Sequence, residues 1–380
     1  MHDFILKEII NGNINDELQK IGFDSTYTNK ASEKYEYKNI KLYSLSLPQA
    51  NILKQTALSV GCDCAIHREV ITAKVETSDC ILGGSISQLK KVSQKLKSQP
   101  FGLKKLSESL YSSLALRERA GEREQSKIAG ILNLTDNSFS DGGMYNDFEN
   151  AKTHLLQMIE EGADIIDIGA ESTKPYSKAV NEDIQLEKIL PIVEFAKNKT
   201  IISIDTRSAK VAQECIKAGA HIINDVSGLE YDEKMADVIA KYGIKVIIQH
   251  SQGTPETMQN NPQYESIMDE LYLNLKEKID FAISNGIKQE NIIIDPGIGF
   301  GKTRAHNFEI IRRIEEFKGL GCPVMLGLSR KSLLNMPDED NFTKDIYTVA
   351  LNTLAIENKI DIIRVHNVKL HKQLIDVLNP

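Results

Sequence analysis

Residues 200–228 read TIISIDTRSAKVAQECIKAGAHIINDVSG. Two short apolar, β-branched runs, TIISIDT (200–206) and HIINDVS (221–227), flank RSAKVAQECIKAG. The runs are too short for helices and too uniformly apolar for strands with a water-facing side. The middle segment has apolar residues three and four apart, as a helix does. It closes on a glycine, the residue best able to take the left-handed backbone of a helix stop. This is a strand, helix, strand unit, and each strand carries a polar residue, Asp205 or Asn224, at or near its end.

Outward from this unit the same alternation begins at IAGILNL (128–134). It continues through ADIIDIGA (163–170), IKVIIQH (244–250), NIIIDPG (291–297), PVMLGLS (323–329) and DIIRVHN (361–367), eight runs in all. A doubly wound open sheet also alternates, but eight units in about 250 residues have the size of a barrel. No GxGxxG follows the first run. The expected fold is α/β, a (β/α)8 TIM barrel over residues 121–380. Such a barrel gathers the polar ends of its strands on one rim, and chemistry is expected there.

At 380 residues the chain exceeds one barrel by more than a hundred, so a second domain at the front is expected. Residues 1–120 read as a small α+β unit, ferredoxin-like in outline. KLYSLSL, CDCAIHREVI and SDCILGG suggest strands, and PQANILKQTALSVG and ISQLKKVSQKLKSQ suggest helices. No catalytic constellation stands out in them, and a docking or assembly module is expected. RERAGERE (117–124) reads as a solvated linker or helix end. Cys62, Cys64 and His67 resemble metal ligands at first sight. Side chains alternate along a strand and no second ligand pair follows, which argues against a metal there.

A net charge of −7 gives no basic stripe for nucleic acid. No apolar run approaches bilayer length, and MHDFILKEIINGNINDE is too charged for a secretory signal. Five cysteines without a CxxC pair suit reduced thiols. A soluble, cytoplasmic protein without membrane or nucleic-acid partners is expected.

The strand ends carry the chemistry. Asn133 opens the polar loop TDNSFSDGG, suited to closing over a ligand. Asp167, Glu171, Ser172, Thr173, Lys174 and Pro175 cluster at the second end, where Asp167 lies within the strand and suits an internal hydrogen bond. Asp205, Asn224 and Asp295 converge on one mouth. They would bind either a metal or a heterocycle rich in N–H donors, such as a 2-amino-4-oxo-pyrimidine, whose amidine-like edge matches an ionised carboxylate. No histidine at metal-ligand spacing joins them, which favours the heterocycle. Lys331 adds a donor for such a ring, while Arg330 beside it is as well suited to a surface ion pair. Arg364 and His366, two apart at the eighth end, suggest an anion site that Asn133 could share. His250 competes as a general base, without an orienting carboxylate in the sequence.

Together these residues resemble dihydropteroate synthase, the folate-pathway enzyme that joins a dihydropterin diphosphate to p-aminobenzoate. The matching segments are GILNLTDNSFSDGG, GADIIDIGAESTKP, IDTRSAKVA, AGAHIINDVSG, HSQGTPETMQ, IIIDPGIGFGKT with the following HN, GLSRKS and RVHNV. The resemblance implies a pterin pocket of Asp205, Asn224, Asp295 and Lys331, with Val226 as an apolar wall and Arg364 covering the ring. It implies a pyrophosphate site of Asn133, Arg364 and His366, with Asn133 also touching Mg²⁺ as the cofactor. Thr173, Pro175, Phe300 and Ser329 match positions around p-aminobenzoate, where sulfonamides compete, and Lys174 between them is expected to bind substrate as well. A homodimer and loop closure over the second substrate are implied as well.

The implied reaction is dissociative. Pyrophosphate leaves the exocyclic CH₂, the ring shares the developing positive charge, and the aniline nitrogen attacks. Asp205 and Asp295 would favour the cation, and Arg364, His366 and Mg²⁺ the leaving group. The family's first loop usually reads threonine, proline, aspartate, serine, phenylalanine, whereas here Thr135, Asp136, Asn137, Ser138 and Phe139 follow one another. Asp136 is expected to replace the displaced carboxylate. Ala170, Lys174, Gln249 and Asn367 depart from a usual glycine, arginine, methionine and aspartate. Two alternatives remain: a methyltetrahydrofolate-dependent methyltransferase on a similar barrel, and a pterin-binding protein that has lost catalysis through its altered loops.

Overall fold

The computed structural model describes residues 14–119, 125–134, 143–171, 180–252, 262–334 and 338–379. The chain divides into two compact units, Met1–Arg123 and Glu124–Pro380.

The second unit alternates strand and helix throughout. It runs β4 (Lys127–Asn133), α6 (Gly143–Glu160), β5 (Ile165–Gly169), α7 (Glu182–Ala196), β6 (Ile201–Asp205), α8 (Ala209–Ala218), β7 (Ile222–Asp225) and α9 (Met235–Tyr242). It continues with β8 (Lys245–Gln249), α10 (Ile267–Ser284), β9 (Ile292–Asp295), α11 (Arg304–Arg312), β10 (Met325–Leu326), α12 (Asn341–Glu357), β11 (Ile362–Val365) and α13 (Val368–Leu378). The strands form an eight-stranded parallel sheet in the order β10, β11, β4, β5, β6, β7, β8, β9. A parallel bridge between Ile294 and Val324 joins its two ends, with Ile294 N–H donating to Pro323 O at 2.9 Å. The barrel expected from the eight runs is therefore the fold. The seventh run contracts to two residues because Pro323 at its start has no N–H for the ladder.

Strand alternation divides the apolar residues into two cores. Ile128, Leu132, Ile166, Ile168, Ile204, Ile248 and Ile363 face outward, in one cluster with the helices. Ala129, Ile165, Ile222, Ile247, Ile293, Met325 and Ile362 form a separate cluster inside the barrel. Side chains repeat their direction every second residue, so the layer above this inner cluster is set by the residues two further on. From Ile165, Ile222, Ile247, Ile293 and Ile362 that step reaches Asp167, Asn224, Gln249, Asp295 and Arg364. An apolar floor with a polar layer directly above it is thus written into the strand sequences.

The first unit contains α1 (Ile14–Lys20), α2 (Thr28–Ser32), β1 (Tyr37–Ser46), α3 (Leu47–Leu58), β2 (Asp63–Ile66), β3 (Thr77–Ser85), α4 (Ile86–Leu96) and α5 (Leu103–Arg119). Its three strands pair antiparallel in the order β1, β3, β2. Ala50, Leu53 and Ala57 of α3, Leu89, Val92 and Leu96 of α4, and Leu103 and Leu110 of α5 pack with Cys64, Cys80 and Leu82 of the sheet. A capping box starts α4, where Ser85 Oγ accepts from Gln88 N–H and Gln88 Oε1 accepts from Ser85 N–H.

A full ferredoxin-like unit is βαββαβ. Here α5 follows α4, and no fourth strand occurs in this unit among the described residues. The first three letters of RERAGERE form the last turn of α5, and the remainder lies outside the described residues. Cys64 Sγ contacts Cys80 Sγ at 3.3 Å, and His67 Nδ1 accepts from Glu69 N–H. No group of His, Cys, Asp and Glu suited to a metal occurs among the described residues.

Candidate active site

The polar layer is built around Arg364. Its Nε donates to Asp167 Oδ2 at 2.5 Å and its Nη2 to Asp205 Oδ2 at 2.6 Å. Asn224 Nδ2 donates to the same Asp167 oxygen at 3.2 Å. Residues from β5, β6, β7 and β11 meet in this way across the barrel mouth, and Asp205 pairs in register with Asn224. Asp167, Asp205 and Asn224 are all buried. Asp167 Oδ1 and Asn224 Oδ1 are buried with no partner among the described residues, and the Asn224 amide leaves an acceptor that a polar ligand would complete.

Asp295 holds the other side. Its Oδ1 accepts from Gly297 N–H at 2.7 Å. Gly297 takes φ +70°, and a Cβ there would lie 1.9 Å from His250 O, so only glycine fits this turn. The loop that follows is fastened by two lysines. Lys331 Nζ donates to Ile298 O at 2.7 Å and stands 4.5 Å from the Phe300 ring centroid. Lys302 Nζ donates to Phe300 O at 2.9 Å and lies 2.9 Å from His250 Nδ1. His250 is thus engaged in a buried clamp rather than set out as a general base.

Ser329 Oγ lies 2.9 Å from His366 Nδ1 and accepts from His366 N–H at 3.3 Å. His366 follows the last residue of β11, so Arg364 reaches into the barrel while His366 is fixed from the loop after β10. Arg330, in left-handed backbone at φ 57°, makes a two-pronged contact with the buried Asp345 at 2.7 Å on each arm. That decides its role as an ion-pair residue. Asn367 Nδ2 joins Asp345 at 3.2 Å.

A pterin binding enzyme family model matches residues 129–366. The bifunctional dihydropteroate synthase/dihydropteroate reductase of Helicobacter pylori is 33% identical over 379 residues, covering 98% of both chains. The chain belongs to the dihydropteroate synthase family. The crystal structure of Yersinia pestis dihydropteroate synthase with a sulfonamide drug matches at TM-score 0.63 and 35% identity, over 67% of this chain and 93% of that one. A probable bifunctional folylpolyglutamate synthase/dihydropteroate synthase of Haloferax volcanii is 34% identical over 84% of this chain. The present chain spans 40% of that relative's length.

For a dihydropteroate synthase family member, the electrostatics of the mouth are tightly opposed. Burial pushes the Asp205 carboxyl up to about 7. Arg364 works against that shift, while Asp167 and Glu171 add to it. Burial also raises Asp295, opposed by Lys331 and the Gly297 N–H. Lys331 is lowered to about 8 by burial, with Asp295 opposing. Burial opposes the charge on Arg364 too, yet Asp167, Asp205 and Asp295 outweigh it and hold the guanidinium more firmly protonated than usual. An acid at about 7, a second acid raised above its ordinary value and a lysine lowered to about 8 share this mouth, a clustering of shifted groups typical of functional sites.

Among the other expected site residues, Asn133 is exposed at the end of β4 and pairs in register with Gly169. Val226 is partly buried just past β7, and Phe300 is buried. Asp136, Thr173, Lys174 and Pro175 lie outside the described residues.

Three features of the rim escaped the sequence reading. Asp167 was legible only as an internal hydrogen bonder, although its place two residues past Ile165 gives it the same inward direction as Asn224. Lys302 lies in the segment IIIDPGIGFGKT, and nothing in its spacing points to His250. Glu171 Oε1 accepts from Arg207 Nη2 at 2.8 Å and its Oε2 from Arg207 Nε at 3.2 Å, a pair that ties the rim after β5 to that after β6.

Proposed function

We propose that this chain condenses 6-hydroxymethyl-7,8-dihydropterin diphosphate with p-aminobenzoate, giving 7,8-dihydropteroate and pyrophosphate. The observation that carries this reading is the gathering at one barrel mouth of the buried Asp205 and Asp295 with Arg364, which is bonded to Asp205, and Lys331. The carboxylates suit the N–H donor edge of a pterin, and their charge favours the ring cation formed as the C–O bond breaks. The bonding pair leaves with the pyrophosphate. The aniline nitrogen then forms the new C–N bond and gives up a proton. Lys331 would donate to the ring, Asn224 would complete its polar edge, and Val226 would wall it. Arg364 and His366 would meet the phosphates, while Phe300, Ser329, Thr173, Lys174 and Pro175 would surround p-aminobenzoate and a competing sulfonamide.

Mg²⁺ fits the residues present as an ion carried in by the diphosphate. Asn133 offers one amide oxygen at an open strand end, and no cluster among the described residues would hold a resident metal. Magnesium keeps several waters and binds through substrate phosphates with few protein ligands. Bound there, it would neutralise charge on the leaving group.

The test is pyrophosphate release from the pterin diphosphate with and without p-aminobenzoate. Release that depends on the aniline, with dihydropteroate as product, is expected. Absence of release under both conditions overturns the reading, in favour of a binding protein or of a methyltransferase acting on methyltetrahydrofolate.

A homodimer and a cytoplasmic setting belong to the same reading. Phe342, Ile346, Tyr347 and Leu354 are exposed along α12, and a second copy would cover such a stripe. All five cysteines are free and buried, in keeping with a reducing compartment. No helix among the described residues is long and apolar enough to cross a membrane. Light scattering at twice the chain mass is the expected result, and a monomer would overturn the dimer.

One observation favours a second activity. The Helicobacter pylori relative, named for both a synthase and a dihydropteroate reductase, matches this chain over 98% of both. The first unit is therefore within the match, whereas the Yersinia pestis synthase covers 67% of the chain. Under this reading a hydride from a reduced nicotinamide or flavin, with a proton from water, reduces the C=N bond of dihydropteroate. Incubation of dihydropteroate with each reductant and chromatography for tetrahydropteroate decides it, and no tetrahydropteroate with either sinks it.

A further inference from the structure

We propose that Asp167 is a positioning residue of the reaction: it takes the Nε of Arg364, so that Asp205 remains available to the pterin instead of closing into a full ion pair. This rests on the synthase reading.

The geometry has three parts. First, Arg364 is shared. A guanidinium facing a single carboxylate tends to close on it in a two-pronged fork, occupying both oxygens. Here the fork is split, with Nε on Asp167 Oδ2 and Nη2 on Asp205 Oδ2. Arg364 therefore takes only one oxygen of Asp205 and leaves the other for the N–H donors of a ring.

Second, Asp167 is fixed and cannot follow the ligand. It lies in the middle of β5, is 2% exposed, and is held by Asn224 Nδ2. It pairs in register with Ile131 on one side and Ser203 on the other. On β5 it stands level with Ser203, two residues before the position level with Asp205, which suits it to orient Arg364 rather than to touch substrate.

Third, its charge acts on Asp205. The charged groups acting on Asp205 are Asp167 and Glu171 from the β5 side, Arg364 from β11, and Lys331 from the loop after β10. From β7 the facing residue is the uncharged Asn224. Asp167 and Glu171 hold Asp205 up, while Arg364 and Lys331 hold it down. Removing the Asp167 charge lowers Asp205 directly. It also frees Arg364 to pair with Asp205 alone, which lowers it further, so both effects have the same sign.

The experiment compares the full-length chain with Asp167→Asn, and with Asp167→Ser as a second variant, in pyrophosphate release across pH. Melting temperatures are measured in parallel. Expected are a kcat at least tenfold lower, a KM for the pterin diphosphate changed less than threefold, and an acidic limb of kcat/KM moved about one pH unit lower. An acidic limb that stays in place overturns the proposal whatever happens to kcat. So does a loss of activity that only follows the fraction unfolded, or a failure of both variants to fold, which would make Asp167 a structural residue of the barrel. A wild-type chain that releases no pyrophosphate would instead refute the synthase reading, so the two failures are distinguishable.

Discussion

Lys302 Nζ lies 2.9 Å from His250 Nδ1, so two basic side chains meet in the interior with no carboxylate bonded to either among the described residues. Burial lowers both well below their ordinary values; Lys302 and Lys278 lower His250 further, while Asp295 opposes the fall of Lys302 and Lys331 adds to it. The pair persists because Lys302 also donates to Phe300 O, which fastens the loop after β9 to the end of β8. Lys302→Met keeps the volume but releases Phe300. The expected result is a several-fold higher KM for p-aminobenzoate with the KM for the pterin diphosphate unmoved, measured by varying each substrate in turn. Equal changes in both constants would contradict the clamp.

The activity should be bell-shaped in pH. Asp205 must be ionised to accept N–H donors, and its carboxyl sits at about 7, so kcat/KM rises as pH rises through that value. Lys331 must be protonated to donate to the ring, and its amine sits at about 8, so kcat/KM falls above it. Because the two groups interact, the limbs belong to the pair. Lys331→Gln should remove the basic limb and move the acidic one to higher pH, since Lys331 holds Asp205 down, and an unchanged basic limb would assign it to another group.

The fold was legible because the strand signal is redundant. Eight apolar runs separated by helical periods leave little choice of architecture, and errors of one or two residues at each end do not alter it. That Asp205, Asn224 and Asp295 share one mouth was legible for the same reason, since they stand where strands end. Arg364 was legible as a cation but not as the link between Asp167 and Asp205. Those partners are 197 and 159 residues away, and sequence spacing carries no information on contacts made across a closed barrel. Arg330 and His250 were ambiguous for a related reason. Their roles are set by Asp345 and Lys302, which tertiary packing alone brings to them.

Gly297 sets the turn that aims Asp295. Alanine there would carry a left-handed backbone, at about 1 kcal/mol, and would overlap a backbone oxygen that cannot move aside. Gly297→Ala is expected to destabilise the barrel by roughly 2–4 kcal/mol, read from urea unfolding. It should also weaken pterin binding, because the N–H that orients Asp295 shifts with the turn. A stability within about 0.5 kcal/mol of the parent would show that the turn adapts.

Ser329 was expected beside p-aminobenzoate, and its hydroxyl is also bonded to His366. Ser329→Ala therefore acts in two places. It removes a hydroxyl expected near the second substrate, and it frees the imidazole expected to meet the departing pyrophosphate. If the His366 contact dominates, kcat falls about tenfold and the KM for p-aminobenzoate changes little. If the direct contact dominates, the KM rises and kcat holds. The short Ser329 to His366 distance favours the first outcome, and steady-state kinetics at saturating pterin diphosphate separates them.

The first rim loop offers the sharpest test of how far the family pattern extends to this chain. The usual proline and aspartate are replaced by Asp136 and Asn137, which moves the carboxylate one residue earlier. A carboxylate is useful in such a loop because the developing ring cation is stabilised by any negative charge that closes over it. Asp136→Asn is accordingly expected to lower turnover about tenfold and to weaken p-aminobenzoate, while pterin diphosphate affinity is kept. Asp141→Asn, which changes the other carboxylate of the loop, should do neither. Unchanged turnover and p-aminobenzoate affinity in Asp136→Asn would mean that Asp205 and Asp295 supply the negative charge without help from the loop.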